Sequence, residues 1–306
     1  MKHDMKKVAI TTTSFGQYDE NPLKTIQAGG HDVVLNPYGR KLKKDEIVEL
    51  CKDTAGIIAG TELMDAEILE KLTDLKVISR CGTGLDNIDL SAAKRLGIKV
   101  FNTPDAPTIA VAEMTIGLIL NLLRKINRMD FALRQDRWEK LMGNLLYGKN
   151  VGIIGFGRIG KKVAELLKPF GCRIKYYDPE AETADSDIKK VELNELLEGS
   201  DIISIHVSTK EQIIGESEIK QIKKGAWMVN VSRGGAVDEN ALYHALKEGY
   251  LTGAAIDVFV QEPYTGQLKE LGNVILTPHI GSYAKEARVK MEMDAVENLL
   301  KGLEVT

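Results

Sequence analysis

Three side chains in the second half of this 306-residue sequence are of the types that deliver a proton beside an anchored carboxylate: Arg233, Glu262 and His279. Arg233 follows Val231-Ser232, Glu262 closes the run from Asp257 and precedes Pro263, and His279 lies in Thr277-Pro278-His279-Ile280-Gly281. A planar guanidinium grips a carboxylate through two parallel hydrogen bonds, which an ammonium does not reproduce. An imidazole donates a proton near neutral pH, and a neighbouring carboxylate orients its ring. This set suits reduction of a carbonyl next to a carboxylate, where the oxygen gains charge as a hydride arrives. Singly, each residue reads as a solvated charge, a turn acid or a structural histidine. Their common position near the ends of apolar strands sets them apart, because ligands of open α/β sheets bind beyond the carboxyl ends of strands.

A hydride needs a carrier, and Val151-Gly-Ile-Ile-Gly155-Phe-Gly157-Arg158-Ile159-Gly160 supplies a place for one. An apolar strand runs into Gly-x-Gly-x-x-Gly and then into a helix from Lys161 to Phe170. Gly155 makes the tight turn, Gly157 lets backbone approach a pyrophosphate, and Gly160 allows close helix–strand packing. The amides near Arg158 and Ile159 face the phosphates at the positive end of the helix dipole. Asp178 ends the next strand, where an acid binds both adenosine ribose hydroxyls. A 2′-phosphate would be repelled there, and Pro179-Glu180 bring no arginine, so NAD is expected over NADP.

The elements that must position these groups alternate along the whole chain. Strands are expected at Val8–Thr13, Asp32–Leu35, Gly56–Ala59, Val77–Ser79 and Gly97–Phe101, with helices after Asn21-Pro22, at Lys44–Lys52, at Ala66–Leu72 behind Asp65, and at Ser91–Leu96. A second series places strands at Val151–Gly155, Ile174–Asp178, Ile202–His206, Trp227–Val231, Gly253–Val258 and Val274–Thr277. Such alternation predicts an α/β protein of two doubly wound parallel-sheet domains. The helix Tyr283–Leu303 has no strand after it and is expected to return to the first domain. A Rossmann domain at 103–282 is therefore inserted in a flavodoxin-like substrate domain at 1–102 and 283–306. The helix Thr108–Arg128 is apolar nearly all round, which fits either a core helix or one shared with a second subunit.

Composition is that of a globular protein, with 43% hydrophobic and 28% charged residues and a formal net charge of −3. Nothing in that balance favours nucleic acid. The longest apolar stretch, Val111–Leu123, holds Glu113 and Asn121 and falls short of a membrane span. The apolar run near the amino terminus is too short for a signal-peptide core. The three cysteines, Cys51, Cys81 and Cys172, have no paired spacing, so no disulfide framework or zinc site is expected. A cytoplasmic enzyme without a metal fits these features.

The set Cys81-Gly82-Thr83-Gly84-Leu85-Asp86-Asn87-Ile88-Asp89, Val111-Ala112-Glu113, Gly155 to Gly160, Ser232-Arg233-Gly234-Gly235, Glu262-Pro263 and Pro278-His279-Ile280-Gly281 resembles the D-isomer-specific 2-hydroxyacid dehydrogenase family over nearly the whole chain. The resemblance implies NAD-dependent interconversion of a small 2-hydroxy acid and its 2-oxo acid. Arg233 would bind the carboxylate and carbonyl oxygen, His279 would be the proton donor, and Glu262 its partner. Asp257 would contact the nicotinamide carboxamide. Val207, Val231, Thr83 and Gly281 would add cofactor contacts, and Arg80, Gly82 and Gly84 substrate contacts. A homodimer built on the cofactor domains is also implied.

Within the family the likeness is strongest to the phosphoglycerate-oxidising branch of serine biosynthesis, through Arg80–Asn87 and Asn102-Thr103-Pro104. Arg80 could then hold a phosphate. One departure stands against it: where that branch carries an arginine after the third strand, this chain has Ile58-Ala59-Gly60-Thr61-Glu62. Dehydrogenases of unphosphorylated acids such as glycerate, glyoxylate or lactate, relatives acting on formate or phosphite, and an NAD-sensing corepressor are the alternatives.

Overall fold

The computed structural model describes residues 6–183, 185–209 and 211–304, and divides into two compact units at Pro107/Thr108 and Gly281/Ser282. The first unit holds β1 (Lys7–Ile10), α1 (Asn21–Ala28), β2 (Asp32–Leu35), α2 (Lys44–Cys51), β3 (Gly56–Ala59), α3 (Ala66–Lys71), β4 (Val77–Arg80), α4 (Leu90–Arg95) and β5 (Lys99–Asn102). Its five strands are all parallel in the order β2-β1-β3-β4-β5, the flavodoxin-like arrangement. Short helices start where an acid accepts a free amide: Asp65 from Ile68 and Asp89 from Ala92.

The second unit holds α5 (Thr108–Arg124), α6 (Ile126–Leu133), β6 (Asn150–Ile154), α7 (Arg158–Leu167), β7 (Arg173–Tyr177), β8 (Ile188–Lys190), α8 (Leu193–Gly199), β9 (Ile202–Ile205), α9 (Glu216–Gln221), β10 (Trp227–Asn230), α10 (Glu239–Lys247), β11 (Gly253–Ile256) and β12 (Val274–Leu276). Its parallel sheet runs β12-β11-β10-β9-β6-β7-β8, so the strand order reverses beside β6. That is the Rossmann arrangement, with its crevice at the carboxyl end of β6. Alternate residues of the central strands feed two cores, Met228 and Ala254 on one face, Val229 and Ala255 on the other.

The last helix, α11 (Lys285–Glu304), belongs to the first unit. Its Met291, Ala295, Val296, Leu299 and Leu303 pack on Val8, Ile10, Ile58 and Val77. Glu292, fully buried on the same helix, accepts from Arg288 at 2.7 Å and from the Gly16 amide at 2.9 Å, which pins the loop after β1.

Two expectations need correction. The second sheet has seven strands rather than six, because Ile188–Lys190 adds an edge strand. Only Ile188 of the three is buried, so no apolar run announces it. The single helix expected over Thr108–Arg128 is broken at Lys125, which takes a left-handed φ of 55°. Asn121 Oδ1 accepts the Asn127 amide at 2.9 Å across the break. Among the described residues no helix is long and apolar enough to cross a membrane.

Candidate active site

The carboxyl ends of six strands of the second unit carry the expected site residues: Gly155 after β6, Asp178 after β7, Val207 after β9, Val231 and Arg233 after β10, Asp257 and Glu262 after β11, and His279 and Gly281 after β12. Thr83, Gly82 and Gly84 follow β4 of the first unit, and Arg80 ends that strand. The loop beyond β4 is held in shape by its neighbour strand. Thr103 Oγ1 accepts the Gly82 amide at 2.8 Å, and Asn102 Nδ2 donates to the Thr83 carbonyl at 2.7 Å. Arg80 Nη1 donates to the Cys81 carbonyl, and its guanidinium lies over Gly82, where a Cβ would overlap it.

Two of the three glycines are required by the fold's own geometry, and the third leaves open space. Gly155 has a φ of +88°, and a Cβ there would meet the His206 carbonyl at 2.7 Å. At Gly160 a Cβ would sit 2.2 Å from the Gly155 oxygen, so any side chain would push α7 off β6. Nothing lies within 4 Å of a Cβ at Gly157. That open cradle abuts the first turn of α7, the positive end of the helix dipole, and it fits a pyrophosphate.

Asp178 closes the other side of this loop. Its Oδ2 accepts the Phe156 amide at 2.7 Å, and Oδ1 accepts those of Glu180 and Ala181 at 2.9 and 2.8 Å. Burial pushes its carboxyl upward, but the three amide donors prevail and hold it below the usual carboxylate range. Asp178 thus presents a stable negative charge and also tethers the glycine loop, a second task its position in the sequence did not announce.

Glu262 and His279 are brought together by their turns, and Arg233 Nη1 donates to the Ser232 carbonyl at 2.8 Å. His279 Nδ1 lies 2.9 Å from Glu262 Oε2 and 3.1 Å from Oε1. With the carboxylate accepting the Nδ1 proton, Nε2 is the nitrogen free to face a substrate. His279 sits at a φ of 55°, and its turn hangs on Asp257. Asp257, 1% exposed, accepts from the Thr277 hydroxyl at 2.6 Å and from the Ile280 and Gly281 amides at 2.9 Å each. Glu262 is held from the other side by the Phe259 amide at 3.1 Å. Gly234 packs so closely that a Cβ would fall 2.0 Å from the Phe259 carbonyl carbon, which binds the Arg233 turn to the Glu262 turn.

Two residues not singled out in the sequence take part in these edges. His206, at the end of β9, is buried with Nε2 2.8 Å from Ser204 Oγ, and burial pushes its imidazole down to about 3. Asn230 is buried at the end of β10. Glu62 stands where the phosphoglycerate branch carries an arginine, but it does not point outward. It is 2% exposed, accepts the Gly60 amide at 2.8 Å and pairs with the Thr11 hydroxyl. A polar residue in a loop carries no sequence mark of whether its side chain turns inward.

Comparison with known proteins agrees with this geometry. The family model for the D-isomer specific 2-hydroxyacid dehydrogenase, NAD binding domain, matches residues 116–281. A glyoxylate reductase of Thermococcus litoralis is 43% identical over 312 residues, covering 96% of this chain and 92% of that protein. A D-3-phosphoglycerate dehydrogenase of Methanocaldococcus jannaschii is 42% identical over 274 residues, 86% of this chain but 52% of that longer protein. The crystal structure of TT0316 protein from Thermus thermophilus superposes with a TM-score of 0.91 at 33% identity, covering 98% of this chain and 97% of that one. An open glycine cradle, a charged ribose-side aspartate and a paired histidine and glutamate on one sheet edge have the same meaning as these likenesses: the chain belongs to the D-isomer specific 2-hydroxyacid dehydrogenases and is an NAD-dependent oxidoreductase.

Proposed function

We propose that this enzyme reduces a small unphosphorylated 2-oxo acid, of the glyoxylate or hydroxypyruvate class, to its D-2-hydroxy acid. The observation that carries the substrate assignment is the end of β3. There Gly60-Thr61-Glu62 offers no cation, and Glu62 is turned into the protein on Gly60 and Thr11. A phosphoryl group carries about two charges near neutral pH and requires cationic or multiple amide partners. The glyoxylate reductase likeness over nearly the full chain supports the same reading.

NADH, when bound, supplies the hydride to the carbonyl carbon. Arg233 holds the substrate's carboxylate through its planar fork and keeps the carbonyl oxygen turned toward His279. His279 donates its Nε2 proton to that oxygen, which stays on the carbon as the new hydroxyl. Glu262 accepts the Nδ1 proton in a hydrogen bond and fixes the ring's orientation throughout. Asp257 has three donors on an acceptor set of about four positions, which leaves room for the carboxamide of the nicotinamide. Asp178 receives the adenosine ribose, Gly155–Gly160 the pyrophosphate, and Val207, Val231 and Gly281 complete the cofactor contacts within the second unit.

A specific observation favours a second reading, 3-phosphohydroxypyruvate. Arg80 stands at the end of β4 within the segment most like the phosphoglycerate branch, and Gly82 and Gly84 flank the same loop. NADH oxidation across glyoxylate, hydroxypyruvate, pyruvate and 3-phosphohydroxypyruvate separates the two. The proposal expects kcat/KM at least about tenfold higher for an unphosphorylated acid, worth ~1.4 kcal/mol of transition-state binding. The reverse ratio, abolished by Arg80→Ala, would establish the phosphorylated substrate and a place in serine biosynthesis.

The assembly we propose is a homodimer through the NAD-binding unit. Ile126, Phe131, Leu133, Trp138, Met142, Leu145 and Tyr147 are all exposed, Met142 by 87% and Trp138 by 80%. So dense an apolar segment marks a protein–protein contact. Sedimentation at micromolar concentration should give twice the chain mass, and a monomer would refute this assembly.

A further inference from the structure

Asn230 is the last residue of β10, after Trp227, Met228 and Val229, and it is 1% exposed. A buried amide is costly unless its polar atoms are paired. Here all the pairing goes to the next turn. Oδ1 accepts the Ser232 amide at 3.1 Å and the Ser232 hydroxyl at 2.8 Å, while Nδ2 donates to the Arg233 carbonyl at 2.9 Å. The backbone of the same residue reaches the neighbouring strand end, its carbonyl accepting the Asp257 amide at 3.0 Å. Asp257 in turn clamps Thr277, Ile280 and Gly281 around His279. Two buried polar residues, one hydrogen bond apart, therefore hold the two turns that bear the guanidinium and the imidazole.

We infer that Asn230 is a positioning residue for the substrate-binding arginine, an inference that rests on the role proposed for Arg233. A leucine or valine would continue β10 better. The amide is used instead to fix the Ser232–Arg233 backbone, from which a long side chain must project in one direction to meet a carboxylate as a fork. Asn230→Ala removes three hydrogen bonds from that turn and lets the guanidinium wander. A displacement of about 1 Å at a reacting group costs on the order of 10²-fold in rate. The glycine cradle and Asp178 lie on other strands, and the bond from Asn230 to Asp257 uses backbone atoms that an alanine keeps, so cofactor affinity should change little.

The test is a double-mutant cycle on the full chain with glyoxylate and hydroxypyruvate as substrates. Asn230→Ala should lower kcat/KM about 10²-fold while the NADH Kd, read by fluorescence titration, changes less than about threefold. In an Arg233→Ala background, the same substitution should add less than about threefold, because the group it positions is gone. Additive losses, or an NADH Kd that rises in step with the loss of rate, would overturn the inference. If Arg233→Ala alone leaves kcat/KM intact, the failure lies in the role given to Arg233, and the two failures are told apart by that single variant. Asn230→Asp keeps the Oδ1 acceptor but replaces the donor to the Arg233 carbonyl by a charged oxygen that repels it. It carries the same cycle should the alanine variant be insoluble.

Discussion

His206 makes acid stability measurable at one residue. Its ring is buried, so protonation in the folded protein waits until about pH 3. An unfolded chain offers the same imidazole to water, where it titrates near 6.5. As pH falls through 6.5 the unfolded state takes up a proton that the folded state refuses, so stability declines from there toward pH 3 and is complete above 6.5. Each pH unit within that window removes ~1.4 kcal/mol, and between pH 7 and 5 the loss from this group is about 2 kcal/mol. His206→Gln keeps a polar partner for Ser204 and carries no titratable proton. Urea unfolding of both proteins at pH 7, 6 and 5 should show the variant gaining about 2 kcal/mol on the parent across the series, whatever its stability at pH 7. Parallel curves would refute the reasoning. So would an NMR titration of His206 in the folded protein with a midpoint near 6.

Three further outcomes follow from the cofactor and proton-transfer edges. Glu262→Gln keeps an acceptor for His279 Nδ1 but loses the charge beside it, so kcat should fall by roughly 10- to 100-fold with the NADH Kd unchanged in a stopped-flow titration. Asp178→Ala should erase the preference for NADH over NADPH. Since the same carboxylate holds the Phe156 amide, affinity for both cofactors should end below that of the parent for NADH, as fluorescence titration would show. Gly160→Ala places a methyl 2.2 Å from the Gly155 oxygen and should cost about 3 kcal/mol, seen as a lowered melting temperature together with lost NADH binding.

The parts of this site legible in the sequence are those announced by a strand ending. Gly155, Asp178, Arg233 and His279 each follow an apolar run, and such runs are easily found because central strands of a parallel sheet are buried on both faces. Elements at the margins were not so marked. An edge strand with one buried residue, Ile188, looks like a loop, and Lys125 gives no sign that it will turn left-handed and divide a helix. Polar residues that support the site were missed for a related reason. Asn230 and His206 end strands, where a polar residue reads as the start of a loop, yet both turn inward. The inward turn of Glu62 depends on Thr11, 51 residues away, and no local pattern encodes such a partner.

The helix that closes the first unit is made only after the whole of the second unit. Val8, Ile10, Ile58 and Val77 are covered by side chains of α11, the farthest of them Leu303. On the ribosome, these strands emerge early and keep an uncovered apolar face while the whole of the second unit is translated. Every contact of the second unit's sheet lies within one continuous stretch, so it can settle as it emerges. The first unit therefore completes its core only once the chain has grown to about residue 303.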